Sequence, residues 1–271
     1  MSYKEINGTK LYYEVLGSGI PTVIIHGWSV DHRLMSGCLE PVFELTSGKF
    51  QRIYIDLPGM GRSLPGADIH DSHDLVRVIF TLLDDIIPGQ SFILMGESFG
   101  GYLSRGILKE RMFLIKGLFL LCPGIIPGYR KGTIVPLQVM KQDNYFLSTL
   151  SKEDYDSFTF LNVCLTKEVW ERYKEQVHSG ILVQDTHFLN EVLDGAFLYD
   201  VDDLPNPYNG PALIITGKQD TEVGFIDQFE LAKQYTNGTY AAIAGGGHNV
   251  QIEQPEIFTA IVKGWLDAYF L

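Results

Sequence analysis

A short glycine-bracketed segment constrains the fold of this 271-residue chain more than any other feature. The apolar run Ser91–Met95 leads directly into the sequence GESFGG (residues 96–101), and a predicted helix follows, from about Phe99 to Lys109. A serine held on a sharp turn between a strand and a helix has a strained backbone, and its neighbours two positions away must be small to avoid a collision. The G-x-S-x-G spacing therefore predicts a buried strand, a tight turn and a helix, with the hydroxyl of Ser98 projecting from the turn.

Short apolar runs alternate with helical segments over most of the chain. The predicted strands are Tyr3–Ile6, Lys10–Val15, Thr22–His26, Arg52–Asp56, Phe92–Gly96, Gly117–Cys122, Ala212–Gly217 and Thr239–Ala244. The first two form a predicted hairpin closed by Asn7-Gly8, which suits a tight primed turn. Helical periodicity between later strands is found at 72–87 and 254–269. This alternation predicts an α/β fold, with a mostly parallel eight-stranded sheet flanked by helices on both faces.

One long segment interrupts this alternation. From about Gly124 to Tyr208 no comparable apolar strand occurs, and the sequence is polar and aromatic with helical character over 147–160, 167–177 and 186–199. Turn-forming residues bound the segment on both sides, with CPG at 122–124 and PNPYNGP at 205–211. Because the segment is too long for a loop, we expect a helical cap inserted at 124–208. The cap would lie over the carboxyl edge of a core domain built from 1–123 and 209–271.

Two polar residues follow late strands, at the sheet edge where ligands of open parallel sheets bind. Asp220 lies just past one predicted strand, and His248 follows the next in a glycine-rich loop. The chain order of serine, acid and histidine matches a nucleophile, an orienting carboxylate and a general base. We therefore expect Ser98, Asp220 and His248 to form a catalytic triad. The expected donors to an oxyanion are the backbone N–H groups of Trp28, after the first buried strand, and Phe99.

Together these motifs resemble the α/β-hydrolase fold superfamily, in particular its capped serine-hydrolase branch. The matching pieces are HGW (26–28), DLPGMGRS (56–63), GESFGG (96–101), GKQD (217–220), GH (247–248) and EQPE (253–256), in that family's order. The resemblance implies acyl transfer on Ser98, because the dehalogenases and epoxide hydrolases of the superfamily carry Asp at this position. Some relatives carry the acid after the strand that precedes the cap. Here that position reads CPG, which leaves Asp220 as the candidate.

The substrate stays open, because specificity resides in the cap and the cap carries no motif. A small or medium carboxylic ester or a related carbonyl compound is the main expectation. The resemblance also allows a carbon–carbon bond hydrolase, a cofactor-free haloperoxidase-like enzyme or a proline iminopeptidase. The last would need a carboxylate anchor in the cap, for which Glu153, Asp154, Glu168 and Asp185 are available. A ligand-sensing protein that hydrolyses slowly and binds a partner through its cap is an alternative of a different class.

Three further groups of residues have competing interpretations. His26, Asp56 and Ser98 also stand in the order of a His-Asp-Ser triad. The strand–turn–helix arrangement around Ser98, however, favours an imidazole from the loop after the last strand. The sequence DIHDSHD (68–74) resembles a metal cluster, although Asp71 or Ser72 capping the next helix is the simpler explanation. Ten cap aromatics are candidates for a substrate pocket, and most are expected to pack within the cap. They are Tyr145, Phe146, Tyr155, Phe158, Phe160, Trp170, Tyr173, Phe188, Phe197 and Tyr199.

Composition argues against several classes of partner. A net charge of −12 with scattered Lys and Arg disfavours nucleic acid and anionic membrane surfaces, both of which need a basic patch. The three cysteines, Cys38, Cys122 and Cys164, indicate a reducing compartment rather than a disulfide framework. No apolar run predicts a leader or a membrane span. We therefore expect a cytoplasmic enzyme that acts on a small molecule and needs neither cofactor nor metal, and the oligomeric state is left open.

Overall fold

Eight strands form the central sheet of the computed structural model, which describes residues 2–125, 134–193 and 196–271. They are β1 (Ser2–Ile6), β2 (Thr9–Leu16), β3 (Ile20–Ile25), β4 (Phe50–Ile55), β5 (Phe92–Glu97), β6 (Ile115–Leu121), β9 (Tyr208–Gly217) and β10 (Tyr235–Ile243), whereas β7 (Lys141–Gln142) and β8 (Cys164–Leu165) form a separate two-stranded ladder. The order across the sheet is β1-β2-β4-β3-β5-β6-β9-β10. The β1–β2 and β2–β4 pairs are antiparallel and the other pairs are parallel, which confirms the predicted, mostly parallel eight-stranded sheet.

The hairpin between β1 and β2 turns at the predicted dipeptide. Asn7 has a φ of +48° and Gly8 a φ of +80°. Both central residues thus lie in the left-handed region, as a type I′ turn requires, and Asn and Gly tolerate that region better than other residues do. The Asn-Gly prediction is confirmed.

Ten α-helices surround or extend the sheet in the described part of the chain. They are α1 (His32–Leu45), α2 (Ser72–Ile86), α3 (Ser98–Arg111), α4 (Asn144–Leu147), α5 (Lys152–Thr159), α6 (Lys167–Tyr173), α7 (Ser179–Ile181), α8 (Phe225–Ala232), α9 (Val250–Glu253) and α10 (Pro255–Phe270). The central strands β3, β5 and β6 are apolar on both faces, whereas the edge strands β1 and β10 are largely exposed. In β3, Val23 and Ile25 pack into a buried cluster with α2 and α3, whereas Ile24 packs into a second cluster with α1 and α10. This two-sided burial explains why the strand signal in the sequence is a continuous apolar run.

The segment between β6 and β9 contains short helices, as expected, but differs in detail from the prediction. The helix predicted over 147–160 is shorter than expected: α4 already ends at Leu147, and α5 begins only at Lys152, where the Ser151 hydroxyl accepts the backbone N–H of Asp154 at 3.1 Å and caps the helix. The predicted helix over 186–199 is reduced to a π-helical turn at Phe188–Val192, and residues 194–195 lie outside the described residues. The β7–β8 ladder was not predicted, since each strand has only two residues.

Candidate active site

The turn between β5 and α3 holds Ser98 in a strained backbone conformation. Its φ is +49°, in the left-handed region that side-chain-bearing residues rarely adopt. A Cβ added at Gly96 would lie 2.4 Å from the carbonyl oxygen of Gly100, and one added at Gly100 would lie 2.4 Å from that of Ile25. The need for small residues on both sides of the serine is therefore confirmed. The strain is located at the carboxyl end of a central strand, where a functional side chain is expected.

A continuous chain of hydrogen bonds connects Ser98 with the loops after β9 and β10. The Ser98 hydroxyl lies 3.0 Å from Nε2 of His248, and Nδ1 of the same ring lies 3.0 Å from Oδ2 of Asp220. The Oδ1 atom of Asp220 accepts the backbone N–H groups of Glu222 at 2.8 Å and Val223 at 3.0 Å. With Asp220 fixed in this way, a neutral imidazole that carries its proton on Nδ1 donates to Asp220 and presents Nε2 to the serine. The fold thus brings together the three residues predicted from their order in the chain.

Burial and charge act in opposite directions on the acid and the imidazole. Burial raises the pKa of Asp220, but His248 and the backbone N–H groups of Val223 and Glu222 outweigh it and bring this pKa below its ordinary value. Burial lowers the pKa of His248, whereas the carboxylates of Asp220 and Glu97 raise it to about 9. The site therefore favours the imidazolium, the form that a base takes after accepting a proton.

A second carboxyl group, that of Glu97, lies beside the imidazole and was not considered in the sequence analysis. Its Oε1 is 3.5 Å from Nε2 of His248, and the residue is only 2 % exposed. On the other side it contacts Gly27, where an added Cβ would lie 2.1 Å from Oε2. Burial raises the pKa of Glu97 to about 7, although His248 acts in the opposite direction. Glu97 is the variable residue before the serine in G-x-S-x-G, and the motif places no requirement on that position, so it did not indicate a function for Glu97.

Ser98 opens into a cavity of about 660 Å³ between the sheet edge and the segment that follows β6. Trp28 and Phe99, the residues expected to donate to an oxyanion, both line it, and their rings pack edge to face with centroids 5.0 Å apart. The lining is mainly apolar: besides these two rings it includes Val30, Leu34 and Val223. Such a cavity suits a small molecule with an apolar part and a few polar groups at the reacting end.

His26 and Asp56 do not form a triad with the serine. The backbone N–H of Leu57 donates to Nε2 of His26 at 2.9 Å, and Nδ1 of His26 donates to the Gly27 carbonyl oxygen at 2.8 Å. Both ring nitrogens are thus engaged by backbone groups, and burial lowers the pKa of His26. Asp56 accepts the backbone N–H and Nδ1–H of His32. These two residues hold the loops after β3 and β4 in place.

Comparison with known proteins agrees with the fold. Residues 22–261 match the model of the alpha/beta hydrolase family. The chain belongs to this family. A solved alpha/beta superfamily hydrolase from Oenococcus oeni PSU-1 has 27 % identity to this hydrolase and a TM-score of 0.84, with 98 % of each chain covered.

Two curated relatives have names that state a reaction. One is the (E)-2-((N-methylformamido)methylene)succinate hydrolase of Acinetobacter baylyi, which is 24 % identical over 96 % of this chain and 95 % of its own length. The other is the pimeloyl-[acyl-carrier protein] methyl ester esterase of Pseudoalteromonas atlantica, which is 28 % identical over 46 % of this chain and 44 % of its own length. The family and these relatives identify the protein as a hydrolase enzyme.

Glu253 connects the loop of His248 with the segment after β6 in this hydrolase. Its Oε1 accepts the backbone N–H groups of Val163 at 2.5 Å and Cys164 at 2.9 Å, and its Oε2 accepts that of Gly247 at 2.5 Å. One buried carboxylate therefore fixes the backbone next to His248 and the backbone around β8 at the same time. The sequence analysis noted Glu253 only as part of a matching motif. Its three partners are backbone N–H groups, which leave no pattern of side chains in the sequence.

The charged and aromatic residues proposed for the pocket of this hydrolase are mostly placed elsewhere. Glu153, Asp154, Glu168 and Asp185 are not among the described residues that line the cavity. Asp185, for instance, accepts the backbone N–H of Phe188 at 3.0 Å. Of the ten aromatics, Phe160, Tyr173 and Phe197 line the cavity, and Phe158, Trp170 and Phe188 are buried in the core clusters. The expectation that most of these rings pack is consistent with this distribution.

The DIHDSHD segment caps the N-terminus of a helix in the described structure. Asp71 caps α2 by accepting the backbone N–H of Asp74 at 2.9 Å, as the simpler interpretation expected. Two other groups of potential metal donors occur among the described residues. One is Cys122, Asp220 and His248, and the other is Asp31, His32 and Asp56. In both groups the carboxylate oxygens of Asp220 and Asp56 already accept hydrogen bonds from N–H groups, which accounts for their proximity.

Within the described part of the hydrolase, every helix is too short or too polar to cross a membrane.

Proposed function

We propose that this protein is a serine hydrolase that acts by acyl transfer on a small or medium carboxylic ester or a related carbonyl compound. The observation that carries the proposal is the arrangement of Ser98, His248 and Asp220, with both connecting distances at 3.0 Å, at the end of an apolar cavity. A nucleophile within hydrogen-bond distance of a base, itself oriented by a third group, is the signature of covalent catalysis. The relative named as a methyl ester esterase supports an ester as the substrate.

In the proposed reaction, Ser98 Oγ attacks the carbonyl carbon while Nε2 of His248 accepts the hydroxyl proton. The oxyanion that forms receives hydrogen bonds from the backbone N–H groups of Trp28 and Phe99. Collapse of this intermediate expels the alcohol, to which His248 returns the proton, and leaves an acyl group on Ser98. Water, deprotonated by His248, then attacks the acyl group, and the second collapse releases the carboxylic acid and restores the serine. Asp220 keeps the proton on Nδ1 and stabilises the imidazolium throughout.

We further propose that residues 124–208 act as a cap domain on a core formed by 1–123 and 209–271. Phe160 and Tyr173 belong to this segment and line the cavity above the serine. Glu253 and Gln254 attach the segment to the core, since Gln254 Nε2 also approaches the Cys164 sulfur at 3.8 Å. A cap that is held in this way would determine which acyl and alcohol groups fit.

Labelling with a fluorophosphonate tests the nucleophile directly. We expect the wild-type protein to be labelled at Ser98, because a serine activated by an imidazole attacks phosphorus as it attacks a carbonyl. Intact-mass measurement followed by peptide mapping gives the site, and Ser98→Ala is the control that should stay unlabelled. Ester hydrolysis by Ser98→Ala should fall by about 10⁴-fold or more. Wild-type protein that is not labelled at Ser98 would exclude this mechanism.

A comparison of two histidine variants tests the choice of base. We expect His248→Ala to abolish ester turnover, since no other group in the described site faces Ser98 Oγ as a base. His26→Gln should retain measurable turnover, because the amide oxygen can still accept the backbone N–H of Leu57. Rates with p-nitrophenyl esters and melting temperatures should be measured for both variants. If folded His26→Gln were inactive and His248→Ala active, the assignment would have to be reversed.

A further inference from the structure

Glu97 occupies a position from which it can contact a bound substrate. It lies between the base and the expected oxyanion site, with Oε1 3.5 Å from Nε2 of His248 and Oε2 against the backbone of Gly27. It lines the cavity together with Ser98 and is almost completely withdrawn from bulk water. The proposed mechanism assigns no step to this carboxyl group. A buried carboxyl group at the reacting end of a cavity is costly unless it has a partner of opposite charge.

The balance of charge in the cavity is negative. Three carboxyl groups line it, those of Glu97, Asp156 and Glu222, whereas its described lining residues include no Lys or Arg. Asp156 is paired outside the cavity with Lys152. Among the described residues, Glu97 has the imidazole as its one charged neighbour of opposite sign, besides a hydrogen bond from the backbone of Gly27, and that imidazole also faces Asp220 and Glu222. The imidazole is neutral when it accepts the serine proton, so at that moment Glu97 lacks a cation.

From this arrangement we propose that Glu97 determines substrate specificity by binding a cationic group carried on the carbon next to the scissile carbonyl. The proposal rests on the proposed serine hydrolase function and specifies its substrate class as esters with a positively charged acyl group. Such a cation would lie against the carboxylate while the carbonyl oxygen faces the Trp28 and Phe99 N–H groups. It would also offset the repulsion between an ionised Glu97 and the developing oxyanion, so its contribution would increase in the transition state.

A matched pair of p-nitrophenyl esters tests this inference. The trimethylammonioacetyl (betaine) ester carries a permanent positive charge, and the 3,3-dimethylbutyryl ester has the same shape without it. We expect wild-type kcat/KM, divided by the hydroxide rate constant of each ester, to favour the cationic ester by about tenfold or more. In Glu97→Gln, which keeps the size and an acceptor oxygen, this preference should fall to about onefold. Glu222→Gln is the matched control and should retain most of the preference, because Glu222 approaches the imidazole from another loop.

The pH dependence separates recognition by charge from a purely structural effect. The wild-type preference for the cationic ester should increase as pH rises through the ionisation of Glu97, and in Glu97→Gln it should not change with pH. A wild-type enzyme that hydrolyses the neutral ester equally well or better would refute the role of Glu97 while leaving the serine mechanism intact. A protein that hydrolyses neither ester and is not labelled by fluorophosphonate would instead refute the proposed function itself.

Discussion

Replacing Asp220 with Asn should lower kcat/KM for ester hydrolysis by about 10⁴-fold. The Asn side chain can donate an N–H toward Nδ1 of His248, which moves the ring proton to Nε2. A protonated Nε2 cannot accept the proton of Ser98, although it lies 3.0 Å from Oγ. The substitution also removes the carboxylate that stabilises the imidazolium. Rates with a p-nitrophenyl ester, together with the melting temperature, measure the effect on catalysis and on folding separately.

The pH dependence of kcat/KM in the wild-type enzyme should reflect the pair formed by His248 and Asp220. Only neutral His248 can accept the serine proton, so kcat/KM should rise with pH, with a midpoint above the ordinary imidazole value. The midpoint is displaced upward because Asp220 and Glu97 raise the pKa of His248. In Asp220→Asn one of these charges is lost, and the midpoint of the residual activity should move to lower pH. A folded Asp220→Asn enzyme with less than about tenfold loss and an unchanged profile would show that another residue orients the base.

Replacing Arg105 with Leu should reduce the free energy of unfolding by about 3–5 kcal/mol. Arg105 is fully buried in α3, the helix that begins at Ser98. Its guanidinium donates to both carboxylate oxygens of Asp202, at 2.7 and 3.0 Å, and to the Gly124 carbonyl oxygen at 2.6 Å. Leucine would leave the partly buried carboxylate of Asp202 and this carbonyl without their partner. Both ends of the 124–208 segment are tied to α3 through this one side chain.

Urea denaturation followed by tryptophan fluorescence checks this expectation. Lys233→Ala is a suitable control, because it removes an exposed ion pair with Glu230 and should change stability by less than about 1 kcal/mol. Arg105→Lys should fall between the two, since an ammonium keeps the charge but cannot reproduce the forked contact with Asp202. A loss below about 1 kcal/mol in Arg105→Leu would mean that the buried cluster contributes little to stability.

Much of the fold was predictable because its signals are local. The central strands of the sheet are continuous apolar runs, since they are buried on both faces, and the Asn7-Gly8 turn is favoured by the conformational preferences of those two residues. The segment 124–208 was harder to predict. Its helices are short, and the helix that periodicity placed at 147–160 begins only at Lys152, after the cap at Ser151. In such segments tertiary contacts decide the boundaries.

The candidate site was likewise predicted only in part. Ser98, Asp220 and His248 were predicted from a motif and from their positions after strands, and the fold places them within hydrogen-bond distance. Glu97 and Glu253 were not recognised, although both contact the same loop region. Their partners are backbone N–H groups or an imidazole far away in the chain, so no spacing in the sequence indicates them.

The strands, the strained turn and the candidate nucleophile Ser98 were thus predictable from the sequence alone, because each of these signals lies in residues adjacent in the chain. Only the tertiary structure decided the surroundings of that turn: a buried carboxyl group beside His248, a carboxylate that joins the His248 loop to Val163, and the absence of the proposed cap carboxylates from the described cavity lining. These features depend on distances between loops that are far apart in the chain. Burial then changes the pKa of Glu97 and His248 in ways that composition cannot indicate.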